Sequence, residues 1–185
     1  MGSSKRIGVV LAGCGYLDGA EIHEACCTLL ALDRAGAEIV CMAPKTAQMH
    51  VVDHAAGAPE DGASRDVFTE SARIARGELV DLASVRATEL DALIIPGGFG
   101  VAKNLCSFAV DGPNCTINTD IESLIQELHA AGKPIGFICI APALAAKALG
   151  THGVTLTIGN DADTAANLEQ LGATHVNCAV EDIVV

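Results

Sequence analysis

The chain has 185 residues, half of them apolar, with a formal net charge of −12 and a pI of about 4.7. This length is enough to bury the core of one domain. No cluster of Lys and Arg is present, so the charge excludes a nucleic-acid partner and an anionic membrane surface. Because only 3% of the residues are aromatic and Trp is absent, the core must be built from Ala, Val, Ile and Leu.

The cysteine pattern and the first apolar run indicate the cellular compartment of the protein. The eight cysteines contain no C-x-x-C pair, which argues against a zinc ribbon, any other metal site or a thioredoxin-type motif. Scattered free thiols fit a reducing compartment, so we expect a cytoplasmic protein. The apolar run near the N-terminus is too short to span a bilayer and predicts a first strand.

Strand-like runs alternate with helix-like stretches, which is the pattern of a parallel sheet covered by helices on both faces. The predicted strands cover residues 6–13, 37–44, 91–98, 133–139 and 153–159. The predicted helices cover residues 19–36, 118–132, 141–150 and 161–173. Turn-forming residues predict a hairpin or long loop within 45–90 and a second loop at 111–115, and the apolar ending 180–185 predicts a final strand.

A glycine-rich stretch, "LAGCGYLDGAE", follows the first strand. It invites comparison with a dinucleotide-binding turn, but the glycine after Gly13 and Gly15 falls at Gly19, which is the wrong spacing. The second strand also ends without an acidic residue for a ribose hydroxyl. We therefore expect a glycine turn into a helix and no nucleotide cofactor.

Cys139 lies between a predicted strand and a predicted helix, in "GFICIAP". Chemistry in open parallel sheets collects outside the carboxyl ends of the strands, and the N-terminus of a helix favours a thiolate. However, the nucleophile elbow of hydrolases carries glycine two residues on either side of the nucleophile, and here those positions are Phe137 and Ala141. The residues alone leave a nucleophile and an inert buried thiol equally open.

Carboxylates and histidines supply the partners that such a thiol needs. Glu21 and Glu24 begin the first helix, where they either complement the helix dipole or meet Cys139 at the sheet edge. A glutamine-hydrolysing triad needs His-x-Glu downstream of the cysteine, and His175 is followed by "VNC", so we do not expect a glutaminase. His23 and His54 are the histidines that the sequence leaves open as further site residues.

Seven segments in order resemble the ElbB family, also called enhancing lycopene biosynthesis or sigma cross-reacting proteins. They include "GCGYLDGAEIHEA", "DALIIPGGFGVAKNL", "AGKPIGFICIAPALAAKALG" and "LTIGNDADTAANLEQLGATHV". The family belongs to the class I glutamine amidotransferase-like superfamily, beside the PfpI proteases and the parkinsonism-linked deglycase. The resemblance implies a flavodoxin-like three-layer α/β sandwich with a mostly parallel central sheet. It also implies that residues 1–185 form one such domain, without the strand and helix with which family members usually continue.

The same resemblance implies the site and its chemistry. Cys139 falls at the superfamily's nucleophile elbow, Glu24 where deglycase-type relatives place a carboxylate beside it, and the amides of Gly98 and Ile140 at the oxyanion hole. The segment where many relatives carry a site histidine is "TIGND" here, so that base is missing.

The resemblance further implies a cofactor-free glyoxalase that converts small aldehydes such as glyoxal and methylglyoxal to 2-hydroxy acids. The alternative is a non-catalytic binding or redox-sensing module with an oxidation-prone Cys139, and the family name adds a link to isoprenoid synthesis. Family members occur in bacteria and in mitochondria, so a eukaryotic source would make the protein mitochondrial. The sequence leaves a homodimer open.

Overall fold

A computed structural model describes residues 4–185. The strands are β1 Arg6–Val10, β2 Glu38–Ala43, β3 Val52–Asp53, β4 Ala58–Pro59, β5 Val80–Asp81, β6 Ala92–Ile95, β7 Ile135–Phe137, β8 Thr155–Leu156 and β9 Thr174–His175. The α-helices are α1 Ile22–Arg34, α2 Val67–Ala75, α3 Phe108–Asp111, α4 Thr119–Ala130, α5 Pro142–Leu149 and α6 Ala162–Gln170. No helix of the described residues is both long and apolar enough to cross a bilayer.

The central sheet has five parallel strands in the order β5-β2-β1-β6-β7. The chain runs outward from β1 on one side and returns through β6 and β7 on the other. The strand order therefore reverses between β1 and β6, and the loops after these two strands meet at the carboxyl edge of the sheet. This switch point is where open α/β sheets bind their ligands.

The sheet divides the core into two hydrophobic clusters. Val10 and Ala12, in β1 and just after it, pack with α4 and α5, whereas Val9 and Leu11 pack with α1 and α2. This alternation arises because successive side chains of a strand point to opposite faces and both faces are covered. The predicted flavodoxin-like three-layer sandwich is confirmed.

The second helix, α2, was not predicted; the sequence indicated only a hairpin or loop between residues 45 and 90. The hairpin is present as β3 and β4, but α2 follows it and is capped by Asp66, whose carboxylate accepts from Thr69 N. Two polar residues, Glu70 and Ser71, lie on its buried face. They interrupt the apolar period by which a helix is recognised in a sequence.

The C-terminal third also departs from the prediction. The strand expected over 153–159 is only β8, and it pairs with β9 in a separate two-stranded sheet rather than extending the central one. The expected strand over 180–185 is absent: these residues form a turn and irregular chain, and Val180 and Ile183 are exposed. Hydropathy alone predicted this strand, and the segment lies against no sheet edge.

We predict that stability falls steeply at alkaline pH because of Cys106, which burial in the larger cluster holds protonated. Burial raises the pKa of Cys106 from 9.0 to about 12. Between these values the unfolded chain has released the proton and the folded chain has not, so unfolding becomes more favourable as pH rises. This costs about 1.4 kcal/mol per pH unit. Urea titrations of wild type and Cys106→Ala from pH 8 to pH 11 should show a shallower decline in the variant.

Leu128→Ala is the control for that measurement, because it removes a fully buried side chain without removing a thiol. It should cost about 2–5 kcal/mol at every pH and keep the wild-type dependence on pH. Parallel curves for Cys106→Ala and wild type would contradict the assignment to this thiol.

Candidate active site

Cys139 lies at a sharp turn between β7 and α5. Ile138 still donates its amide to Ile95 O at 3.1 Å, which extends the pairing of β7 with β6, and Ala141 N already donates back to Ile138 O at 2.9 Å. Between them Cys139 has φ +60°, a left-handed conformation that costs a non-glycine residue roughly 1–2 kcal/mol. The strained turn leaves Cys139 exposed rather than buried.

Glu24 reaches the same place from α1. Its Oε2 accepts the amide of Gly97 at 2.8 Å, and its own amide donates to Glu21 Oε2 at 2.7 Å. A Cβ built on Gly97 would overlap Cys139 Cβ and lie 2.7 Å from Glu24 Oε2. The absent side chain of Gly97 is therefore what allows the carboxylate and the cysteine to sit side by side.

The groups around the sulfur of Cys139 shift the pKa of its thiol in opposite directions. Loss of solvent around it and the negative charge of Glu24 raise its pKa, in that order, while the amides of Gly98 and Ile140 act to lower it. The net direction is upward, so the resting side chain is a thiol beside a carboxylate rather than a free thiolate. A hydrogen bond between the thiol and the Glu24 side chain also raises the pKa of Cys139.

The oxyanion loop, residues 96–100, is held by direct backbone packing against the loop after β1. Phe99 N donates to Tyr16 O at 2.7 Å, Gly100 N to Gly19 O at 2.8 Å, and Glu21 N to Gly97 O at 2.9 Å. A Cβ on Gly98 or Gly100 would overlap the backbone around Gly19. Close approach of two backbones is thus the reason for most glycines in both loops.

This packing accounts for the glycine-rich stretch after β1. Gly13 N donates to Ser71 Oγ, Gly15 N to Ala20 O, and Gly19 N to Gly15 O. Their amides are occupied within the protein, whereas a phosphate-binding turn directs its amides at the ligand. The stretch forms a turn into α1, as the spacing predicted.

A buried polar network lies beneath the loop after β1. Asp18 is fully buried, its Oδ2 accepts from Val52 N at 2.8 Å, and its backbone carbonyl accepts from the side chains of Gln48 and Asn104. Asp18 Oδ1 has no hydrogen bond and lies 3.7 Å from His54 Nε2. Nothing in the sequence pointed to this network, since a single aspartate in a glycine-rich turn is usually a surface residue.

The histidines occupy other places. His23 is exposed and bonds Glu21 Oε1 through Nδ1, at the outer side of the first turn of α1. His54 accepts from Leu17 N, and His175 accepts from Ile158 N within the "TIGND" segment. None of them is among the groups that shift the pKa of Cys139. Within residues 4–185, no cluster of three or more His, Cys, Asp and Glu could hold a metal ion.

The structure therefore brings together all four groups singled out in the sequence, namely Cys139, Glu24 and the amides of Gly98 and Ile140. Sequence reasoning missed Gly97, whose amide positions the Glu24 carboxylate. The doubled glycine after β6 was the available signal, because one glycine satisfies a positive φ and the second has to serve another purpose.

We predict that Gly97→Ala disables the site. The new methyl group would push Cys139 and Glu24 apart, so any Cys139-dependent activity should fall by at least about tenfold. Gly136→Ala is the matched control, because a Cβ there would meet its nearest neighbour, Ile94, at an ordinary 3.6 Å. Equal effects of the two substitutions on activity, at equal stability, would refute the packing argument.

We also predict that Glu24→Gln makes Cys139 more reactive toward iodoacetamide. Removing the negative charge lowers the pKa of the thiol, and each unit increases the thiolate fraction at neutral pH by about tenfold. Alkylation followed peptide by peptide at pH 7.5 should therefore accelerate in this variant. Asp33→Asn, at the far end of α1, should keep the wild-type rate, and slower alkylation of Glu24→Gln would contradict the electrostatic account.

No family model matches the chain. Individual known proteins, however, are similar to it over most of its length. The human glutamine amidotransferase-like class 1 domain-containing protein 3, mitochondrial, is 52% identical over 179 residues and covers 92% of this chain. The rat ES1 protein homolog, mitochondrial, is 50% identical over 179 residues and covers the same share. The chain spans 66% of the length of each of these proteins.

Among solved structures, the isoprenoid biosynthesis protein with amidotransferase-like domain from Ehrlichia chaffeensis is 40% identical and superposes with a TM-score of 0.86. The match covers 95% of this chain and 79% of that one. A ThiJ/PfpI domain protein from Brachyspira murdochii shares the fold at 14% identity and a TM-score of 0.55, covering 100% of this chain and 84% of that one. The narrower ElbB resemblance fits the Ehrlichia protein. At this level of identity and coverage, the chain belongs to the class 1 glutamine amidotransferase-like family.

Proposed function

We propose that the protein is a cofactor-free, cysteine-dependent enzyme of the glyoxalase type, which converts small dicarbonyls such as glyoxal and methylglyoxal to 2-hydroxy acids. The observation that carries the proposal is the position of the Cys139 sulfur, exposed at a strained turn beside the Glu24 carboxylate and facing the amides of Gly98 and Ile140. This combination supplies a nucleophile, a proton carrier and a pair of oxyanion donors at one sheet edge.

The reaction begins with addition of the Cys139 sulfur to the aldehyde carbon. The S–C bond forms while the thiol proton passes to Glu24, and the aldehyde oxygen becomes an oxyanion held by the Gly98 and Ile140 amides. Proton transfer to this oxygen gives a hemithioacetal. The raised pKa of Cys139 is compatible with this first step, because the thiol gives up its proton only as the new bond forms.

An internal rearrangement then oxidises the former aldehyde carbon and reduces its neighbour without an external oxidant. Glu24 removes the hydrogen of the former aldehyde carbon as a proton to give an enediolate, and the proton of the hydroxyl group on that carbon moves to the neighbouring oxygen. Glu24 returns its proton to the neighbouring carbon, which leaves a 2-hydroxyacyl thioester on Cys139. Water hydrolyses this thioester and restores the thiol. The net reaction is dicarbonyl plus water to 2-hydroxy acid.

The Gly97 amide positions Glu24 for this work. Its hydrogen bond to Oε2 fixes the carboxylate beside the thiol. General acid–base catalysis by one positioned carboxylate contributes about 10²–10⁴-fold. With no histidine acting on the thiol, we expect a modest turnover.

The alternative of a redox-sensing module receives less support from the site. Sensor cysteines are oxidised as thiolates, and the pKa of Cys139 is raised rather than lowered. If the sensor proposal were right, mild peroxide would oxidise Cys139 ahead of the exposed Cys26 and Cys27. We expect the opposite order from peptide-resolved mass spectrometry.

The proposals on location and assembly rest on the relatives. The human and rat proteins are named as mitochondrial, so we propose a mitochondrial protein for a eukaryotic source and a cytoplasmic one for a bacterial source. The Ehrlichia protein is named for isoprenoid biosynthesis, and a role of this chain in that process is a further proposal. A homodimer stays a prediction.

We predict that purified protein consumes methylglyoxal and forms lactate, and that Cys139→Ala abolishes the conversion. Glu24→Gln should lower kcat by about 10²-fold or more while its Cys139 alkylates faster. In D₂O, lactate should carry deuterium at C2, because the enediol is reprotonated through an exchangeable carboxyl group. Equal methylglyoxal loss with wild type and Cys139→Ala would reject the mechanism, and an unchanged kcat in Glu24→Gln would reject the role of Glu24.

A further inference from the structure

We infer that Lys103 and Phe99 form a subsite for a negatively charged substituent, so that the preferred substrates are 2-oxo aldehydes that also carry a carboxylate or phosphate. The inference rests on the proposed function and specifies its substrate class. The observations that carry it are the unpaired ammonium of Lys103 and its contact with the residue next to the oxyanion hole.

Lys103 lies in a single π-turn, Val101–Leu105, directly after the oxyanion loop. Val101, Ala102 and Leu105 are buried, and Lys103 itself is half-buried. Its Nζ donates to Leu17 O at 2.8 Å and lies 5.5 Å from the centroid of the Phe99 ring. Both contacts hold the ammonium on the loops that build the active site.

The ammonium of Lys103 is poorly compensated for a partly buried charge. Loss of solvent lowers its pKa, and Asp18 offsets this only in part and from beyond ion-pair distance. Some cations pair with carboxylates, as Lys5 does with Asp91 and Lys45 with Asp81. Lys133, like Lys103, instead donates to backbone carbonyls, but at the opposite end of β6 from the loops of the site. Lys103 forms no ion pair within residues 4–185, and only one of its three N–H groups has a partner there. The remaining donors are available to an anion.

The subsite begins one residue from the reaction centre. The amide of Gly98 faces the Cys139 sulfur, and Phe99 is the next residue, with 44% of its surface exposed. The hydrogen bond of the Phe99 amide to Tyr16 O fixes the backbone from which the ring projects. A substrate whose aldehyde carbon is bonded to Cys139 would extend its substituent along this surface.

The overall charge makes such a local cation necessary. A protein of net charge −12 repels anions at long range, so an anionic substrate needs a specific ammonium at the site. A charge-assisted hydrogen bond from a partly desolvated Lys is stronger than one between neutral groups. Methylglyoxal carries no charge and would leave these donors unused.

The first test uses 4,5-dioxopentanoate and its methyl ester, which share the 2-oxo aldehyde and differ in the carboxylate. We expect the ratio of kcat/KM for acid over ester to be at least about tenfold in wild type and to fall to near one in Lys103→Gln. Lys103→Arg should keep much of the ratio. Lys147→Gln, which removes a half-buried lysine of α5, should leave it unchanged.

A second test is independent of turnover. 4-Oxobutanoate and butanal both add reversibly to a thiol and cannot proceed to a hydroxy acid, so each protects Cys139 from iodoacetamide by occupancy alone. Wild type should be protected at about tenfold lower concentration by 4-oxobutanoate, and Lys103→Gln should lose this difference. Raising the salt concentration should reduce this difference between the two aldehydes in wild type. The salt dependence tests the subsite even if Lys103→Gln does not fold.

The outcomes separate the two proposals. Charge-selective protection without turnover of any 2-oxo aldehyde would retain the subsite and reject the glyoxalase proposal. Turnover and protection that do not distinguish acid from neutral compound, or a preference that survives in Lys103→Gln, would overturn the subsite. In that case Lys103 serves only to hold the carbonyl of Leu17.

Discussion

The site depends on backbone-to-backbone contact between the loop after β1 and the oxyanion loop after β6. Gly19, Gly98 and Gly100 bring the two loops closer than any side chain would allow, and the amides of Phe99 and Gly100 bond across the junction. This contact sets where α1 begins and hence where Glu24 lies. It also aims the Gly98 amide at the sulfur, so that both partners of Cys139 are positioned by one packing interaction rather than by flexible side chains.

Strain and burial are concentrated at this junction. Cys139 holds a left-handed φ, and the fully buried Asp18 fixes the loop after β1 to Val52. Such arrangements persist only when surrounding structure compensates for them, and here the five-stranded sheet and the buried α5 do so. The thiol that results is accessible but protonated at rest. A thiol of this kind reacts when a substrate and a base are in place and is spared from indiscriminate oxidation.

The regular elements of the sandwich were predictable because their signals are local. Helix α4 showed an apolar face at helical spacing, and β1, β2 and β6 were short apolar runs bounded by glycine or proline. Helix α2 was missed because its buried face carries Glu70 and Ser71. The predicted strand was longer than β8, whose extent depends on pairing with β9, nineteen residues later in the chain. That pairing is not encoded in the hydropathy of β8 itself.

The site residues also differ in whether the sequence could identify them. Spacing alone could not decide the state of Cys139, because the elbow glycines were absent; the resemblance of the surrounding segments identified it together with Glu24. Asp18 could not be found from the sequence, because its role arises only when loops far apart in the chain meet. Gly97 was missed although the doubled glycine after β6 pointed to it. Lys103 likewise reads as an ordinary surface lysine until its contacts with Leu17 and Phe99 are known.

The central claim is that Cys139 forms a covalent bond to the substrate during turnover. The most direct measurement is rapid quenching of the protein with isotopically labelled methylglyoxal, followed by peptide mapping of all eight cysteines. The account predicts a hydroxyacyl label on the peptide of Cys139 that appears and decays at the rate of lactate formation. Formation of lactate with no label on Cys139, or with the transient label on another cysteine, would contradict it.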